Sequence, residues 1–240
     1  MIDNSETPIA TEEQCAPPLG EQIVSSVGNV QRLDQQTREE TIKLVQRLLA
    51  PAGVPIGAIV FSSVESNSGC SSVCARVAEI MAASTEGSIC LVDANLRSPG
   101  LTRHFRLGDV DSTSEGEWTL APTRTLMSTR AGGLWMLSHK QLNADWHTPR
   151  SLDRFQSALA ELRMKFSHIL IDAPPINAYA DAALLGRLAD GLVMVVEANK
   201  TRREAARRAK DILGVAGVRL LGVVLNKRRF PIPAAVYRRL

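Results

Sequence analysis

The stretch HILIDAPP (168–175) decides the fold: a short apolar run that stops at Asp172 and a pair of prolines, the signature of a buried strand with a polar end. The same design recurs along the chain as IGAIVFSS (56–63), SICLVD (88–93), GLWMLS (133–138), GLVMVVEA (191–198) and RLLGVVLNK (219–227). Helical spacing lies between these runs. Val73, Val77, Ile80 and Met81 share one face after the first, and Leu152, Phe155, Leu159, Leu162 and Phe166 share another from about Ser151. Thr201 with Glu204 three residues on predicts a capping box opening a helix that Gly214 closes as a left-handed cap. A further helix is expected over Gln36–Leu49, with Ile42, Val45 and Leu49 on one side. Uninterrupted apolar strands alternating with amphipathic helices predict an α/β domain: a doubly wound, mainly parallel sheet with helices on both faces.

Working outward, 240 residues with 45% hydrophobic and 22% charged side chains suit one domain with a sizeable core. The expected division is a mobile arm at 1–35, an α/β domain at 36–230 and a basic tail at 231–240, with 106–132 read as loop or irregular structure. A net charge of +3 and 4% aromatics argue against nucleic acid as partner. No apolar run reaches the roughly 20 residues that span a bilayer. The acidic, polar start MIDNSETPIATEEQ is unlike a signal peptide, so a cytoplasmic location is expected. Cys15, Cys70, Cys74 and Cys90 match no zinc spacing and read as small buried thiols, although Cys70 and Cys74 share a helix face and make a conceivable metal half-site.

In such sheets ligands bind at the carboxyl ends of the strands. The first such loop, SSVESNSGCSS (62–72), has the shape of a phosphate-binding P-loop, G-x-x-x-x-G-K-[ST], without its sequence. Gly69, Ser71 and Ser72 hold three expected places, but Val64 replaces a small residue and Cys70 stands where the lysine belongs. A neutral thiol cannot neutralise phosphate charge, and Glu65 adds a negative one nearby. On this loop alone a plain strand–turn–helix connection is the better reading. Asn67 tolerates a positive φ, so the loop shape is expected to survive. Cys70 at a helix N-terminus is also expected to have a lowered pKa, which allows a redox sensor. The second and third loops follow Asp93 and Asp172, and a strand-end aspartate beside a phosphate loop is the usual anchor for magnesium-bound water.

Taken in order, these loops resemble those of the bacterial tyrosine kinases of capsule and exopolysaccharide biosynthesis, within the partition-type P-loop ATPases. That family reads S-S-x-x-P-G-E-G-K-S-T, then D-A-D-L-R-R-P, then I-I-D-x-P-P, against which stand the loop above, DANLRSPGL (93–101) and ILIDAPP (169–175). ADGLVMVVEANKTRREAARRAKDIL followed by GVVLNK extends the resemblance, which runs from about Pro55 to Asn226. It implies a P-loop NTPase-like fold, with Gly69, Cys70, Ser71 and Ser72 at the phosphates and Asn226 near the base. It places Ser71, Asp93 and Asp172 at magnesium, with Asp93 and Asp172 as the catalytic pair, and Arg97 in support of the site or of a neighbouring subunit. ATP and Mg2+ are the implied cofactors, bound weakly here for want of the lysine. The implied partners are a membrane polysaccharide co-polymerase (chain-length regulator) or an active kinase paralogue, which would recruit the chain to the inner face of the membrane, and a homo-oligomer.

Two departures bear on activity. The family's oligomerisation pattern E-x-x-R-x-x-R survives only as Glu40, Lys43 and Gln46, and of its tyrosine-rich tail only Tyr237 remains. The function expected is a degenerate kinase-like regulator of polysaccharide synthesis or export. The alternative is an active protein-tyrosine kinase whose missing cation comes from Lys200, Arg97 or another subunit. Arg202, Arg203, Arg207, Arg208 and Lys210 form a basic helix face, read as solvated rather than as a dock for an acidic partner, lipid or polymer.

Overall fold

The computed structural model describes residues 23–24, 35–49, 57–85, 87–105, 123–125, 133–142 and 148–228. The N-terminal arm up to 35 and the tail 231–240 lie almost wholly outside these, as does Cys15. The elements are β1 (Ile23–Val24), α1 (Gln35–Leu49), β2 (Ala58–Ser63), α2 (Cys70–Ser84), β3 (Ile89–Asp93), α3 (Gly100–His104), β4 (Thr123–Thr125) and β5 (Leu134–Leu137). They continue with α4 (His139–Leu142), α5 (Pro149–Lys165), β6 (His168–Asp172), α6 (Asp181–Leu188), β7 (Gly191–Glu197), α7 (Arg203–Val215) and β8 (Leu220–Asn226).

The sheet order is β1-β4-β5-β3-β6-β2-β7-β8, every pair parallel except β4 with β5. Strands β2, β3 and β6 are buried almost throughout because both their faces are covered, which is why they read as continuous apolar runs. One face carries α5, α6 and α7, packing Phe155, Leu159, Leu185, Ala209 and Leu213 onto Val60, Val92 and Ile171. The other carries α1, α2 and α3, packing Val45, Val77, Met81 and Leu101 onto Ile59, Leu91 and Leu170.

Two sequence expectations fail locally. Helix α7 starts at Arg203 without a side-chain cap, because the Thr201 hydroxyl instead accepts a hydrogen bond from the Glu197 amide at 3.0 Å and so is drawn back to β7. Gly214 stays helical, and the left-handed residue is Gly217, which lets Val218 turn back into the core. Helix α6 and strand β4 were not anticipated. α6 is short, and the small residues Ala182, Ala183 and Gly186 that it buries give little apolar periodicity.

The start of β2 is held by Asp190, whose carboxylate accepts from the Gly57 and Ala58 amides at 2.7 Å each and pairs with Arg163 at 2.8 Å. Asp190→Ala leaves two strand amides unmet and is expected to cost about 2 kcal/mol in urea unfolding. Arg163→Ala, which removes only the half-exposed pair, is expected to cost under about 1 kcal/mol.

Candidate functional site

Strand register brings the predicted residues to one edge of the sheet. Asp93 and Asp172 are direct partners across β3 and β6, Phe61 faces Asp172 across β2, and Asn226 faces Glu197 across β7 and β8. The loop after β2 keeps the P-loop turn: Asn67 has φ 63° and Gly69 φ 82°, and α2 begins at Cys70. The turn is tied from outside. Asn226 donates its side-chain amide to the Ser68 carbonyl at 2.8 Å, and Lys227 donates its ammonium group to the Asn67 carbonyl at 2.5 Å while pairing with Glu197 at 3.3 Å. Gly69 allows this approach, since a Cβ there would lie 2.5 Å from Asn226 Nδ2.

Inside, the buried charged groups at the strand ends are the two carboxylates, with His139 and Arg103 close enough to lower the pKa of Asp93. Asp172 is wholly buried and neither carboxylate oxygen has a hydrogen bond of good geometry. Burial pushes its pKa up to about 7; the nearby Ser71 hydroxyl draws it back, the Asp93 charge raises it, and the Cys70 thiol lowers it. Asp93, also buried, is raised by desolvation and restrained by Thr102, whose amide and hydroxyl reach Oδ2 at 3.0 and 2.9 Å; Oδ1 has no partner.

Cys70 is a buried thiol, as its reading as a small buried residue expects, but its pKa moves opposite to the lowering expected at a helix N-terminus. Desolvation first, then the Asp172 charge, raise it well above the ordinary range, so the helix dipole loses and the thiol is inert. Cys74 is raised for the same reasons. The metal half-site is not realised either: among the described residues no group of three or more His, Cys, Asp and Glu side chains is placed to hold an ion.

The replacement cations considered from sequence each have a carboxylate partner. Lys200 pairs with Glu197 at 3.2 Å, and Arg97 stacks on the Tyr179 ring at 4.1 Å and pairs with Asp181 at 3.9 Å. Sequence reasoning missed Lys227 as the cation at the loop, although its place beside Asn226 marked it. It also missed Asn95, the third letter of DANLR, which stands where the family pattern has a second aspartate; its Oδ1 now accepts from the Ser98 amide at 3.2 Å. No sequence signal announced Gly100, where a Cβ would lie 2.0 Å from Ser71 Oγ and 3.6 Å from Asp172 Oδ2, so the absence of a side chain there lets this backbone pack closely beside Ser71.

The oxygen set of Ser71, Asp93 and Asp172 fits a hard divalent cation such as Mg2+ that arrives with phosphate oxygens, since unpartnered carboxylate oxygens are what such an ion needs. The loop fits a triphosphate in shape but not in charge. With Cys70 neutral, no cationic side chain is directed at the outer phosphates from the place where the motif puts one.

No protein-family model matches the chain. It is 29% identical over 177 residues to CapB of Staphylococcus aureus, covering 72% of this chain and 75% of CapB. It is 27% identical over 172 residues to the tyrosine-protein kinase YwqD of Bacillus subtilis, covering 71% and 72%. It is 28% identical over 184 residues to the succinoglycan biosynthesis transport protein ExoP of Rhizobium meliloti, covering 73% of this chain but 23% of ExoP. Among solved structures, the chimerical protein CapA2B2 superposes with a TM-score of 0.67 at 20% identity, covering 88% of this chain and 92% of that one. The kinase domain of the Escherichia coli tyrosine kinase ETK superposes at 0.66 and 21% identity, covering 81% and 78%. The MinC:MinD cell division complex of Aquifex aeolicus superposes at 0.54 and 18%, covering 76% and 72%, so these proteins share one α/β fold with this chain.

The burial of Asp172 has a pH signature. The unfolded chain releases this proton near pH 4 and the folded chain near pH 7, so the folded state holds more protons in between, and stability falls as pH rises through that window. Asp172→Asn is expected to gain on the order of 3–4 kcal/mol over wild type at about pH 8 and almost nothing at about pH 4, read by urea unfolding at both.

Proposed function

We propose, from the premise that this chain is a homologue of the bacterial tyrosine-protein kinases, that it is a degenerate kinase-like P-loop protein regulating exopolysaccharide or capsule synthesis or export. The observation that carries this reading is Cys70: buried, neutral and set against Asp172 at the one position from which the motif's lysine would meet phosphate. Asn95 in place of an aspartate supports it. Kinship with a succinoglycan biosynthesis transport protein supports the polysaccharide setting. In this reading the chain binds Mg2+–ATP weakly and acts by contact with a membrane chain-length regulator or an active paralogue.

Asn226 and Lys227 tie the loop into the P-loop turn from outside, so restoring the charge is expected to restore affinity. A charge-assisted hydrogen bond to phosphate contributes about 1.5–3 kcal/mol, roughly ten- to a hundredfold. Calorimetry is expected to give high-micromolar or weaker binding for wild type, clearly tighter binding for Cys70→Lys, and tighter still for Cys70→Lys with Glu65→Ala, which also removes like charge. Tight binding by wild type would sink the degenerate reading.

A second reading, an active tyrosine kinase, is favoured by one observation. The Lys227 ammonium group already sits on the loop and could turn from the Asn67 carbonyl to a phosphate. That reading requires phosphate on Tyr237 that disappears in Asp93→Ala and in Lys227→Ala, measured by mass spectrometry. The degenerate reading requires none in wild type.

A further inference from the structure

The charge of this chain is strongly lopsided. The last 40 residues hold 11 of its 28 Lys and Arg but two of its 25 Asp and Glu, so they net +9 while the first 200 residues net −6. The fold exposes the described part of this charge on one edge. β8 is the terminal strand of the sheet, and α7 crosses onto the sheet face beside it. Arg202, Arg203, Arg207, Arg208, Lys210 and Arg219 are all exposed.

A solvated helix face accounts for the charge but not for what lies among it. Val215 is 92% exposed, and Val223 and Leu225 are each 54% exposed. Val223 pairs with Met194 and Leu225 with Val196, both of which belong to the core under α7, so these two apolar side chains emerge on the face that α7 occupies. An open groove of about 620 Å3 along α7 has Arg207, Arg208, Ile212 and Val215 in its wall beside Glu204 and Asp211. In sequence, β8 leads straight into KRRFPIPAAVYRRL (227–240), where two arginine pairs flank one apolar run.

Basic side chains interleaved with exposed aliphatic ones suit a surface that is anionic outside and apolar just beneath, which is a lipid headgroup layer. A single-stranded nucleic acid would need aromatic stacking platforms, and α7 and β8 contain no aromatic residue. A soluble acidic polymer would use the arginines and leave Val215, Val223 and Leu225 in water.

We infer that the α7–β8 edge is a docking surface for an anionic phospholipid bilayer. It holds the chain on the membrane through its own residues, independently of the nucleotide loop and of what that loop binds.

The test is flotation of the full chain, without nucleotide, on phosphatidylcholine vesicles made with and without phosphatidylglycerol. Binding is expected only with the anionic lipid and is expected to weaken with salt. Each arginine near such a surface contributes about fivefold, so Arg207→Ala with Arg208→Ala should lower partition about 25-fold. Val215→Ser should lower it about tenfold if the side chain is inserted. All three positions are exposed, so an unchanged urea midpoint is expected for each variant. Equal binding to neutral vesicles, or no effect of the double arginine variant, overturns the proposal. So does binding to dextran sulfate as tight as to vesicles together with vesicle binding indifferent to Val215→Ser, which would make the partner a soluble acidic polymer.

Discussion

Two carboxylates placed side by side at the ends of neighbouring strands, inside the protein and without a cation, set the terms for the rest of the site. Asp93 and Asp172 face each other across β3 and β6 because parallel register leaves them no choice. Burial of either is costly unless it is neutralised or hydrogen-bonded. The surroundings answer only in part. Thr102 satisfies one oxygen of Asp93, while Ser71 and Cys70 lean on Asp172 without completing a bond to it. The proton that Asp172 keeps to about pH 7 is what remains to offset the charge. The inertness of Cys70 follows from the same cause, since a thiolate beside a buried carboxylate would add a second uncompensated charge.

The phosphate loop holds its shape by a different means. A P-loop that grips phosphate turns its N–H groups inward, so its carbonyls turn out, and here two outward carbonyls are taken by Asn226 and Lys227 from the end of β8. Lys227 itself has a left-handed backbone, φ 55°, which swings its side chain back over the loop, and Glu197 on β7 steadies the ammonium group. The loop is therefore tied to the two strands beside it, and the last strand takes part in the geometry of the first loop.

Most of the fold was legible because the central strands are buried on both faces. Such strands must be apolar throughout, and IVF, ICLV and ILI announce themselves without any partner being known. The convergence of Asp93, Asp172 and Asn226 was legible for the same reason, since each is the polar residue that ends such a run. What stayed hidden depends on contacts between distant segments. Thr201 read as a cap and instead bonds back to Glu197; Gly100 read as part of a motif and instead packs on Ser71. The pKa of Cys70 was misread because helix position is visible in sequence and burial against Asp172 is not.

The pattern of what is kept and what is missing bears on what the site is for. If the chain needed only its fold, the buried carboxylates would be a burden, because an amide of the same shape would remove the cost of the charge. The oxygens without partners among the described residues, Asp93 Oδ1 and both oxygens of Asp172, sit where a divalent cation would be the natural complement. The lysine serves a different purpose: it neutralises the outer phosphates, and its loss weakens the grip on a triphosphate without touching the metal oxygens. A site that loses the lysine and keeps the carboxylates is thus not simply erased. In the degenerate reading proposed above, such a site keeps the oxygens that suit a divalent cation and lacks the charge that suits a triphosphate.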